Sequence, residues 1–187
     1  MQYVAFGCRA LLGVVFLVAL VSKLSGRRAF HEFTQSLRAM RVVPSSMATL
    51  AAVTTVVCEA AATVLLGVPL RSTGLAGFAL AAILLAVFGG AIIISLRHGN
   101  SQPCRCFGRS ATPLGRLHVW RNIFLVFVAF TGSATTTLQT GTLALAPTLM
   151  AVFTGLIAGA IIVALDDLAY LFRPPNPPLC QDCMRQV

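Results

Sequence analysis

The chain has 187 residues, of which 57% are hydrophobic and 10% charged, with a mean hydropathy of +0.86. A soluble domain carries about 25% charged residues, so a water-soluble globule is excluded and a polytopic membrane protein is expected. The net charge of +9 does not argue for nucleic acid: the basic residues are few per loop and sit at the ends of apolar runs, where membrane topology explains them. At this length there is no room for a second soluble domain beside a helical bundle.

Five apolar stretches are long enough to span: Tyr3 to Ser22, Met47 to Val68, Gly74 to Leu96, Val119 to Leu138 and Thr148 to Leu168. Each holds about 20 residues, roughly 30 Å as a helix. The first lacks a basic leader and an A-x-A site, so it reads as a retained helix and not a signal peptide. The fourth is rich in small and hydroxylated residues from Gly132 to Thr140, where fraying is expected. Gly155 and Gly159, at G-x-x-x-G spacing, suit close helix packing. Residues 1–172 are thus expected to form an all-α transmembrane bundle, and 173–187 a tail. That tail opens Arg173-Pro174-Pro175-Asn176-Pro177-Pro178, a polyproline-like composition.

Between the first two spans, Phe30, Phe33, Leu37 and Met40 recur at spacings of three and four among Arg27, Arg28, Arg38 and Arg41. The pattern fits a short amphipathic helix, either in the membrane interface or packed on the end of the bundle. Twelve of the fourteen basic residues fall on one side: Lys23, Arg27, Arg28, Arg38, Arg41, Arg97, Arg105, Arg109, Arg116, Arg121, Arg173 and Arg185. Arg71 lies opposite and Arg9 within a span. The positive-inside rule then puts the N-terminus outside and the C-terminus in the cytoplasm of a bacterial cell membrane.

Four of the six cysteines form two close pairs, Cys104-Arg105-Cys106 in the longest polar loop and Cys180-Gln181-Asp182-Cys183 in the tail. One helical hairpin separates them, so both face the same side. A C-x-C disulfide closes a small, strained ring that exchanges readily, and Arg105 and Arg109 favour the reactive thiolate. C-x-x-C is the spacing of dithiol exchange or of half a zinc site. Spacing alone leaves two readings open: a redox relay, or a structural zinc held by Cys104, Cys106, Cys180 and Cys183, with His98 and His118 as substitute ligands. Cys8 and Cys58 lie in apolar spans and read as inert core residues.

Arg9 and Glu59 are ionisable residues inside spans, where they need partners. Counting about 21 Å and 18 Å from the basic side puts them at similar depth, and the favoured reading is a structural Arg9–Glu59 ion pair, ahead of a proton or quinone role. Lys23 is expected to snorkel at the interface, and Asp166 and Asp167 to pair with arginines of the basic loops. A small transporter using Arg9 and Glu59 is less supported, since no paired set of broken helices is visible.

The run Arg9-Ala10-Leu11-Leu12 to Phe16, with Ser22-Lys23-Leu24, Phe30, Pro44 and Glu59, resembles the first half of the MauE family, related to DoxX-like membrane proteins. Pro103-Cys104-Arg105-Cys106-Phe107-Gly108, followed by His118-Val119-Trp120-Arg121-Asn122, resembles that family's cysteine motif and the start of its next helix. The likeness covers roughly residues 5 to 130. The family commonly has Gly where this chain has Arg105, and the tail cysteines are not part of its pattern. The resemblance implies a four-helix DoxX-like core and a redox-associated membrane protein. It also implies participation in maturing an extracytoplasmic amine-metabolism enzyme, disulfide formation included, beside a thioredoxin-like partner. That role is extracytoplasmic, whereas the charge count puts both cysteine pairs in the cytoplasm, where electrons would need an acceptor such as a membrane quinone.

Overall fold

The computed structural model describes residues 2–40, 43–97, 116–138 and 144–171. Among them there are six helices: α1 (Gln2–Leu24), α2 (Arg27–Ala39), α3 (Ala48–Gly67), α4 (Arg71–Arg97), α5 (Arg116–Thr137) and α6 (Leu145–Leu171). All but α2 are long and apolar enough to cross a membrane. An all-α membrane bundle follows directly from composition, since helices satisfy their own backbone in lipid.

Local chemistry sets the helix ends. Gly26, with φ of 156°, breaks the chain between α1 and α2. Pro69 stops α3 by forcing Val68 into an extended conformation (φ −80°, ψ 122°). Pro147 falls in the first turn of α6, where its missing N–H costs no intrahelical bond, so that helix starts at Leu145. The expected fraying of α5 does not occur before Thr137, because its hydroxyls bond back to the preceding turn. Thr131 donates to Phe127 O, Thr136 to Gly132 O and Thr137 to Ala134 O, all within 2.9 Å.

Helices α1, α3, α4 and α5 form a ring in which each packs on the next, and α6 lies outside it against α1. The core of this ring is filled by Leu12, Phe16, Phe78, Leu85, Ile92 and Leu125. Gly155 and Gly159 seat α6 directly on the backbone of α1. A Cβ at Gly155 would meet the carbonyl of Gly7, and one at Gly159 would lie 2.9 Å from Leu11 O. Residue numbers rise together along this contact, so α1 and α6 run parallel. Their C-termini therefore share one end of the bundle with the close of α4 and the start of α5. This is the Lys23 end; the Arg71 end is opposite.

Helix α2 packs across the Lys23 end against α1 and α3. It buries Phe33, Thr34 and Ser36, with Met40 just beyond it, and leaves Arg27, Arg28 and Arg38 exposed. The amphipathic segment is thus packed on the end of the bundle through its apolar face.

Candidate functional site

Polar side chains inside the bundle gather toward the Lys23 end. Lys23 donates from Nζ to both carboxylate oxygens of Glu59, at 2.7 and 2.9 Å, with the two side chains 1% and 0% exposed. Its ammonium also lies 3.5 Å from Ala19 O and 4.9 Å from the centre of the Phe33 ring. Thus α2 closes over the ion pair, adding a cation–π contact to its hydrophobic anchor. His118, Ser95 and Asn122 are buried in the neighbouring stretches of α4 and α5.

This corrects the expected Arg9–Glu59 pair and the expected snorkelling of Lys23. In a helix the Cα–Cβ bond tilts toward the N-terminus. Lys23 ends α1, so its side chain is aimed back into the bundle. Glu59 stands on the antiparallel α3, so its side chain is aimed down toward Lys23. Arg9, on the same helix as Lys23, is likewise tilted toward the N-terminus, and from its place on α1 that is the Arg71 end. There its guanidinium donates to Val68 O at 3.0 Å and to Leu70 O, the carbonyls of the turn between α3 and α4. The Thr73 hydroxyl donates to the same two carbonyls at 3.0 Å. A cation on the last carbonyls of a helix also suits the helix dipole. Gly74 makes room: a Cβ there would occupy the place of the guanidinium. Arg71 caps α5 similarly, donating to Thr137 O at 2.7 Å.

Cys104, Cys106, Cys180, Cys183 and His98 lie outside the described residues, as do the side chains of Asp166 and Asp167. The helix ends that bound the loop from 98 to 115 and the tail beyond 171 are at the Lys23 end. Cys8 and Cys58 are free thiols, each half-buried. Among the described residues no group of three or more His, Cys, Asp or Glu converges in a way that suits a metal ion. A groove of about 480 Å³ opens between α1, α5 and α6, lined by Leu11, Trp120, Arg121, Phe124, Ile162 and Leu165 among others. The sequence reading missed Ser95 and Asn122. An Asn at the fourth position of the apolar span that begins at Val119 was the available signal.

The family model for methylamine utilisation protein MauE matches residues 1–135, which include α1 to α4 and nearly all of α5. The chain belongs to the MauE family. It is 33% identical over 160 residues to the methylamine utilization protein MauE of Paracoccus denitrificans, a match spanning 84% of this chain and 80% of that relative. No solved structure matches it. The matched region contains Arg9, Lys23 and the loop from 98 to 115, and leaves α6 and the tail outside.

Proposed function

We propose that the chain takes part in thiol–disulfide exchange, or in maturation of a partner protein, at the Lys23 end of the bundle. Cys104 and Cys106 are the exchanging pair, and Cys180 and Cys183 a shuttle or resolving pair. The observation that carries this reading is that both cysteine-bearing segments are attached to helix ends at one end of a MauE-family bundle. A thiolate of the loop attacks a partner disulfide, forming a mixed disulfide and releasing one partner thiolate. Its neighbour then attacks the mixed disulfide and releases the second, so the loop pair is oxidised as the partner is reduced by two electrons. Two electrons from the tail dithiol or a reduced thioredoxin-like protein return the loop pair to its dithiol form; run in the opposite direction, the loop disulfide oxidises a partner dithiol and the two electrons pass on to an acceptor such as a membrane quinone. The positive-inside rule assigns the Lys23 end to the cytoplasm.

Labelling intact cells with a membrane-impermeant maleimide, with and without reductant, reads sidedness and oxidation state together. Cys104→Ser and Cys106→Ser are expected to abolish exchange and leave membrane insertion intact; full activity of both variants removes the reading. Stoichiometric zinc in the purified protein, lost on replacing all four cysteines, would instead assign a non-enzymatic scaffold.

A further inference from the structure

Among the described residues, two buried polar side chains in the ring have no hydrogen-bond partner. Ser95 on α4 is 0% exposed and Asn122 on α5 is 1% exposed, and Ser95 Oγ, Asn122 Oδ1 and Asn122 Nδ2 are all unpaired. Other buried or half-buried hydroxyls in this bundle donate to a carbonyl one turn back, as Thr63 does to Glu59 O at 2.8 Å and Thr34 to Phe30 O at 2.9 Å. Ser95 does not. An amide buried with neither end satisfied is costly, and such groups in native interiors are regularly met by bound water.

The packing register shows what stands near Asn122. Across α4, its Cβ lies 3.8 Å from the place a Cβ on Gly89 would take. Across α1, Gly132 of α5 meets Cys8. Counting along these antiparallel helices from that contact brings Asn122 level with Val18 and Ala19. Ala19 is the residue whose carbonyl lies beside the Lys23 ammonium. Asn122 is therefore within about one helical turn, in depth, of the Lys23–Glu59 pair. Each Glu59 oxygen accepts from Lys23, and a carboxylate has about four lone-pair sites, so acceptor capacity remains. Phe16, Leu85 and Leu125 are fully buried in the same core, which favours a guest the size of water.

We infer that Asn122 and Ser95 bind water inside the four-helix ring, forming a hydrated polar site that reaches from the Lys23 end toward the Lys23–Glu59 pair. Water both donates and accepts, so it satisfies both ends of the amide where a purely accepting or purely donating guest satisfies one. The site is independent of the cysteines and of the exchange reaction proposed for them.

Two measurements test it. In the full chain in detergent, with its asparagine side-chain amides labelled with nitrogen-15, dipolar transfer from water to the Asn122 side-chain amide is read by NMR, the signal being assigned by its loss in Asn122→Ala. A direct cross-peak with the sign of a long-lived bound water is expected. Its absence overturns the proposal. Asn122→Thr, close to asparagine in volume and able to bond its hydroxyl to its own helix, is then followed by thermal unfolding in detergent. Loss of bound water lowers the midpoint, by about 2–4 °C for each 1 kcal/mol in a chain of this size. An unchanged or raised midpoint, the result of deleting an amide that had no partner at all, overturns it equally.

Discussion

The Lys23 ammonium and the Glu59 carboxylate meet at 2.7 Å inside the bundle, from the last turn of one helix and the middle of another. Because both are fully buried, the pair is governed by desolvation as much as by attraction. Removing one partner strands a charge in an apolar core, at about 3–5 kcal/mol. Lys23→Met and Glu59→Leu are each expected to destabilise the protein on that scale. The double variant Lys23→Met with Glu59→Leu is expected to recover most of the loss, since hydrophobic replacement of a buried pair is often neutral or better. Unfolding of the four proteins in detergent gives the coupling. Additive losses would sink the idea that the two charges act as a unit.

How this pair escaped the sequence is instructive. Composition and run length were enough for the five crossing helices, because lipid leaves backbone polar groups no alternative to internal bonding. The small residues at 155 and 159 were readable for the same reason: only a missing side chain allows carbonyls to approach so closely. Pairing of the buried charges was not readable from residue counts, which place Cα atoms and ignore side-chain direction. Lys23 and Arg9 sit on one helix and tilt the same way along it. One is thereby turned toward Glu59, and the other toward the carbonyls of Val68 and Leu70. Ser95 and Asn122 stayed hidden because one polar residue in an apolar run does not announce which face it occupies.

Arg9 and Gly74 form the second coupled pair. Since a methyl at position 74 would occupy the place of the guanidinium, Gly74→Ala is expected to cost about 1–3 kcal/mol, as overpacking of a filled site does. Arg9→Lys should be destabilising as well, because a single ammonium cannot reproduce the planar fork that reaches two carbonyls. In an Arg9→Ala background the penalty of Gly74→Ala should shrink markedly. Thermal midpoints of the single and double variants measure this, and an undiminished penalty would show that the strain lies elsewhere in the turn.

Phe33 fastens α2 to the bundle. It is 1% exposed and stands over the Lys23 ammonium, so Phe33→Ala removes a large apolar contact together with the cation–π contact. A loss of about 3–5 kcal/mol is expected from the aromatic truncation. The local consequence is sharper than the global one. Trypsin should cut at Arg38 and at Arg27 or Arg28 much faster in the variant, because cleavage needs α2 to unwind and lift from the end. Equal cleavage rates would mean that α2 is held by contacts other than this ring.

The last prediction concerns the seat of α6. This helix packs on α1 through Gly155 and Gly159, and its outward residues Met150, Phe153 and Ile161 are exposed. In a membrane no hydrophobic effect drives two apolar helices together, so close backbone approach carries the association. Gly155→Leu or Gly159→Leu should therefore separate α6 from α1, whereas Phe153→Leu should be neutral. A cysteine placed at Ala10 and another at Ala158 would give a cross-linking readout. The wild-type spacing should support a bridge by a short bifunctional reagent, and the leucine variants should lose it while α1 to α5 stay assembled. Retention of the cross-link with leucine at 155 would show that α6 is held in place by something other than the glycine seam.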